Sequence, residues 1–201
     1  MEIKLSDLIK NMVDSGSNTL DAGNLGLSTI PEEILELGDI IEVLYLTKSY
    51  PDSESQEGKW FSSKQPYGEA KTNIISSVSP NIKKLRNLKK LSIQVALATD
   101  VLNFLDMLPS LEELTIIPDK NYFDTKEVTE KKVDFSFLGS PKNLKKLWIQ
   151  AIGIEDLHSL ATLEKLEYLN CAGSPVTNLD GIATLKNLKE IQTCKYLQNV
   201  N

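Results

Sequence analysis

A single histidine, His158, lies two residues from Asp156, the one place in the chain where a carboxylate and an imidazole are close enough in sequence to suggest acid-base work. The pair falls on what reads as an outer turn, and nothing in the surrounding pattern brings a Ser or Cys nucleophile to it, so no catalytic triad is assigned. Two cysteines, Cys171 and Cys194, together with one histidine make no metal-ligand cluster. Gly58-Lys59 would close a phosphate-binding loop only if Gly stood five residues earlier, and that place is Ser53. The expectation is a chain with no catalytic residues, no metal and no cofactor, and therefore not an enzyme.

The elements that carry these residues are bounded first by composition. A chain of 201 residues, 41% hydrophobic and 25% charged, can bury a core of its own and has the size of one domain spanning 1–201. No run of 18 apolar residues occurs, and Met1 to Lys10 interleaves charges where a secretion signal needs an unbroken apolar stretch; the expected place is the cytoplasm, with no membrane contact. The net charge is -6 and unevenly spread, with three Lys/Arg against twelve Asp/Glu in residues 1–57. An acidic amino-terminal part argues against nucleic acid as a partner.

Aligning the chain on itself reveals its organisation. Leu144-Lys-Lys-Leu147-Trp-Ile149, Leu166-Glu-Tyr-Leu169-Asn-Cys171 and Leu188-Lys-Glu-Ile191-Gln-Thr193 recur at 22 residues, and Leu88-Lys-Lys-Leu91-Ser-Ile93 and Leu111-Glu-Glu-Leu114-Thr-Ile116 are the same unit at 23. Ile41-Glu-Val-Leu44-Tyr-Leu46 and a degenerate copy around Leu20 bring the total to about seven repeats over 18–201. Each unit is followed by a second apolar comb, as in Val176, Leu179, Ile182 and Leu185. Stacked copies close one continuous core that no single unit could close. Residues 1–17 read as a capping helix, with Ile3, Leu5, Leu8, Ile9, Met12 and Val13 at roughly helical spacing.

On these residues the chain resembles the leucine-rich-repeat family. The amino-terminal part is similar to the opening of repeat arrays in bacterial Roco-type proteins, and the later units are similar to internalin-like 22-residue repeats. The resemblance implies an α/β solenoid: a curved parallel sheet with turns or short helices on its convex side. It also implies Asn at the ninth place of each unit, bonding neighbouring backbone. Here that place holds Leu25, Ser49, Ala96, Asp119, Ile152, Ser174 and Tyr196, of which Ser49, Asp119 and Ser174 could do part of the work.

Alternation along each strand sends the third, fifth and seventh places to the concave face and the fourth and sixth to the core. The fifth-place column is Asp21, Tyr45, Ser92, Thr115, Trp148, Asn170 and Gln192. Cys171 is then a core residue, while Cys194 points outward. Trp148 and Tyr168 are expected side by side on the open face, as partner anchors or as rings that cover each other. The second-place column Lys89, Glu112, Lys145, Glu167, Lys189 alternates in sign, which predicts charge pairs that hold register in preference to a polyanion site. Insertions near 50–73 and 119–132 bring Trp60, Phe61, Tyr122 and Phe123 to the same edge. The expected partner surface is Tyr45, Trp148 and Tyr168 with those four loop aromatics, and the expected partner is a protein. An inhibitor or immunity-type protein, the recognition part of a larger signalling protein, and a self-assembling structural protein joined through its carboxy-terminal end all fit this reading.

Overall fold

The computed structural model describes residues 4–52, 59–63, 71–96, 101–119 and 135–193. The chain forms a leucine-rich-repeat solenoid. Its parallel sheet has seven strands in the order β1 (Thr19–Asp21), β2 (Val43–Leu46), β5 (Lys90–Val95), β6 (Glu113–Pro118), β7 (Lys146–Trp148), β8 (Tyr168–Asn170) and β9 (Glu190–Gln192). Register follows the repeat: Tyr45 faces Asp21 and Ser92, Thr115 faces Ser92 and Trp148, and Asn170 faces Trp148 and Gln192.

One backbone device sets that register. The carbonyl at each second place accepts from two consecutive N–H groups of the next strand: Glu42 from Lys89 and Lys90, Lys89 from Glu112 and Glu113, Glu112 from Lys145 and Lys146, and so on to Glu167. The side chains at those places form ion pairs, Lys89–Glu42 at 3.0 Å, Lys145–Glu112 at 2.8 Å and Lys189–Glu167 at 2.6 Å. Lys145 also feels the Glu167 carboxylate of the next strand, so these couples are linked along the column. The Glu112 hydrogen bond raises the Lys145 ammonium above its usual range, and the Lys189 hydrogen bond holds the Glu167 carboxyl below its own.

Inward places carry the core. Leu44, Leu91, Leu114, Leu147 and Leu169 at the fourth place, and Leu46, Ile93, Ile116, Ile149 and Cys171 at the sixth, have no solvent exposure. Each fully buried aliphatic side chain contributes about 1.5–3 kcal/mol of transfer free energy. The convex side returns through short 3-10 segments, among them Ser136–Gly139, His158–Leu160 and Asp180–Ile182. These stack so closely that a Cβ on Gly181 would lie 2.2 Å from the His158 backbone nitrogen, so this place admits only glycine.

Helix α1 (Leu5–Asp14) buries Leu8 and Met12 against the open side of β1 and stops where Gly16 turns left-handed at a φ of 68°. Val13, counted among the covering residues from its spacing, is instead 48% exposed, because helical rotation carries it past the β1 side. A second helix, α2 (Glu32–Leu35), starts after Pro31 and buries Ile34 and Leu35.

The missing ninth-place asparagines have two substitutes. Asn73, at the far end of the first insertion, is fully buried; its carbonyl accepts from the Leu25 and Leu27 N–H groups at 3.1 and 2.8 Å, and its amide donates to the Ala22 and Leu46 carbonyls. It occupies the place an uninterrupted second unit would have given to its ninth residue. At the strand entrances, Asn87, Asn143 and Asn187 donate to the Asp39, Pro109 and Glu164 carbonyls of the preceding unit at 3.1, 2.7 and 2.7 Å. Ser174 makes the partial substitution expected of it, donating to the Ile149 carbonyl at 3.3 Å.

Candidate functional site

The first insertion begins as an antiparallel ribbon, β3 (Ser49–Pro51) with β4 (Trp60–Ser62), pairing Tyr50 with Phe61 and Pro51 with Trp60. It packs on the concave face instead of standing clear of it. The Tyr50 ring stacks on Tyr45 with centroids 3.6 Å apart and planes 5° from parallel, and the Ser63 hydroxyl donates to the Asp21 carboxylate. Phe61 reaches the Tyr50 ring at 6.2 Å, and the Lys90 ammonium lies 5.6 Å from the Tyr45 centroid. Burial, reinforced by the Glu113 and Asp21 carboxylates, pushes the Tyr45 phenol up to about 12; burial and Asp21 do the same to Tyr50.

Below the ribbon, one concave charge group is shared between strands. Glu113 lies 3.1 Å from Lys90 and 3.5 Å from Lys146, so one carboxylate serves two ammonium groups.

Trp148 corrects the alternation argument. It sits on the concave face in the expected register, yet it is only 5% exposed, and Ser92, Thr115 and Asn170 in the same column are buried too. Its ring meets Tyr168 at 5.0 Å with a 39° tilt, and the two rings shield each other, as one of the two readings of that pair anticipated. Asn170 beside it is fixed by bonds to the Gln192 side chain at 2.7 Å and from the Ala172 N–H at 3.1 Å. Outward direction therefore does not mean exposure on a face where neighbouring strands are this close and a ribbon lies above.

The structure brings five of the expected site residues into two groups. Tyr45 belongs with Tyr50 and Phe61. Trp148 and Trp60 line one cleft of about 300 Å³ with Ser49, Thr115, Pro118 and Gln150. Tyr168 joins through its contact with Trp148. Trp60 and Phe61 are the large aromatic side chains that remain open, at 38% and 52% exposure, among the described residues. Tyr122 and Phe123 lie outside the described residues, as does Cys194.

His158 and Asp156 do meet, the ring Nδ1 against the carboxylate, which also accepts from the His158 N–H at 2.6 Å. Those bonds lower the Asp156 carboxyl, and both side chains are more than half exposed, on the convex side. Among the described residues no group of three or more His, Cys, Asp or Glu could hold a metal ion, and no helix is long and apolar enough to cross a membrane. Sequence reading missed Tyr50 and Asn73, although Tyr50 stands at the root of an insertion rich in aromatics and Asn73 at its end.

No family model matches the sequence, and no curated protein matches it. Among solved structures, the internalin InlF of Listeria monocytogenes aligns with a TM-score of 0.57 at 17% identity, covering 96% of this chain and 56% of that one. Internalin C2 of the same organism aligns with a TM-score of 0.45 at 19% identity over 95% of this chain and 84% of that one. The chain thus spans little more than half of the InlF structure. At this level of identity the likeness is one of architecture, and by strand order, register and superposition on InlF alike the molecule has the leucine-rich-repeat fold.

Proposed function

We propose that the chain is a non-catalytic interaction module that binds a protein partner through its concave face and the β3–β4 ribbon. The observation that carries this reading is the exposure of Trp60 and Phe61 on a ribbon that Tyr50 and Ser63 fasten to the sheet. Large rings held on a pre-ordered support lose little entropy on association, and such residues supply most of the energy of an interface. Trp148 and Tyr168 then act as the floor that positions the ribbon. An inhibitor that occludes a partner's site, or the recognition part of a larger signalling protein, are the forms this function takes.

The test uses the open residues, because Trp148→Ala would empty a buried place and cost about 3–5 kcal/mol of stability. A Trp60→Ala/Phe61→Ala double variant should keep the fold. It should lose about 2 kcal/mol or more of affinity by calorimetry for a partner captured from host cells on the wild-type chain. Unchanged affinity would move the interface to the convex side. Self-association is a second reading, favoured by the exposure of Glu190 and Gln192 on β9, the last strand of the sheet among the described residues.

A further inference from the structure

The cleft under Trp60 exists because two neighbouring strands part company. β5 and β6 stay paired as far as Val95 and Pro118, whereas β6 and β7 pair only to Thr115 and Trp148. The ladder places Lys146 N–H on the Glu112 carbonyl, and two residues per rung would bring Gln150 N–H to Ile116. That rung is open. Ala151, at a φ of 55°, turns the chain toward β8, where its own N–H bonds the Ala172 carbonyl at 2.9 Å, and Gln150 N–H makes no hydrogen bond among the described residues. Ile116 and Gln150 both line the cleft, with indoles at Trp60 and Trp148 beside them.

We propose that this cleft seats one extended, uncharged peptide segment, its backbone amide bridging Gln150 N–H and the Ile116 carbonyl and a proline ring lying between the Trp60 and Trp148 indoles. The inference rests on the protein-binding reading above and names the part of the partner that the ribbon would hold. The unmade rung leaves the Gln150 N–H and the Ile116 carbonyl facing the cleft, main-chain groups of the kind that an extended segment bonds when it docks on a sheet. A sugar would meet the same indoles but does not carry a donor and acceptor matched to a β rung.

Among the described residues no lining side chain is ionisable, so a charged side chain entering would lose its hydration without a partner there. Proline suits the remaining space: it keeps the segment extended at little entropic cost and presents a flat ring to aromatic walls. The volume of about 300 Å³ holds a residue with its flanking amides and not a folded element.

The chain has two tryptophans and both line the cleft, so intrinsic tryptophan emission reads this site alone. Titration of the full chain with the blocked peptide Ac-Ala-Ala-Pro-Ala-Ala-NH2 should give a saturable emission change with a Kd of about 1 mM, reasonable for so short a probe. The same peptide with Asp in place of Pro should bind about tenfold more weakly or worse, and maltotriose should give no saturable change. Trp60→Ala, with melting and circular dichroism as the check on folding, should weaken the proline peptide about tenfold; Trp60→Phe, which keeps a ring, should recover most of that loss. No saturation with the proline peptide, equal binding of the Asp peptide, a saturable maltotriose response, or unaltered binding by Trp60→Ala would each overturn the assignment. If the Trp60→Ala/Phe61→Ala variant loses its protein partner while the proline peptide fails to bind wild type, only the cleft inference falls. If the peptide binds and the partner is indifferent to both rings, the cleft stands and the protein interface lies elsewhere.

Discussion

Ala151 and Gly173 hold the same place in successive repeats, and both are left-handed, at φ of 55° and 77°. Glycine takes that conformation freely, whereas a Cβ costs roughly 1–2 kcal/mol. Ala151→Gly should therefore stabilise the molecule by up to about 1 kcal/mol, part of the gain being lost to the more flexible unfolded chain; chemical denaturation with an unchanged m-value would check it. The Tyr45 and Tyr50 phenols titrate at about 12 in the folded state against 10.0 in the unfolded one. Between those values the unfolded chain releases the protons first, so stability is fully present below pH 10 and falls as pH rises toward 12. Phenolate absorbance should show a delayed fraction of tyrosines, and Tyr45→Phe should soften the alkaline loss of stability. The type and register of these residues were legible in the sequence, but their burial was not. Alternation states which way Trp148 points; only the distance to Tyr168, the crowding by Thr115 and Asn170 and the position of the ribbon decide that it is covered.

The repeat spacing located the strands because leucine at the first, fourth and sixth places leaves one solution for a buried parallel sheet, and the register of the strands repeats the sequence columns residue for residue. The loops were less legible, since a hydrogen-bonding side chain can be supplied from anywhere the chain happens to pass. Asn73 satisfies four backbone groups of units one and two from the end of the insertion, a service invisible to an alignment that counts places from Ile41. Asn73→Ala should cost about 3 kcal/mol or more, because it strands buried donors and acceptors rather than merely removing bonds. Replacing residues 50–70 by a short Gly-Ser bridge should cost far less, because Lys71, whose carbonyl accepts from Gly26 N–H, and Asn73 both remain. Thermal melts of the two variants side by side would decide the matter, and a ribbon deletion as harmful as Asn73→Ala would make the ribbon part of the solenoid's own support.

The two ends of the sheet are built differently. On the β1 side, α1 lays Leu8 and Met12 over the first repeat, so the edge is covered by a helix whose apolar face was readable from its spacing. On the other side the sheet ends, within the described residues, at a three-residue strand whose Glu190 and Gln192 are exposed, and its Ile191, like Leu188 and Leu179 earlier in the chain, is only partly buried. A row of backbone groups beside half-buried aliphatics is a template for strand addition, which natural proteins blunt with charge, brevity or a covering element. Glu190 and the shortness of β9 supply the first two, enough to disfavour open-ended fibres but not a closed pair. Two copies meeting at this edge about a twofold axis would align β9 antiparallel with its counterpart, offset so that the glutamates avoid each other, and the contact would close on itself. Sedimentation equilibrium should accordingly show a monomer-dimer exchange at tens of micromolar that does not proceed to larger species. A single monomeric species throughout that range would overturn the self-assembly reading, while the ribbon and its two exposed rings kept their role.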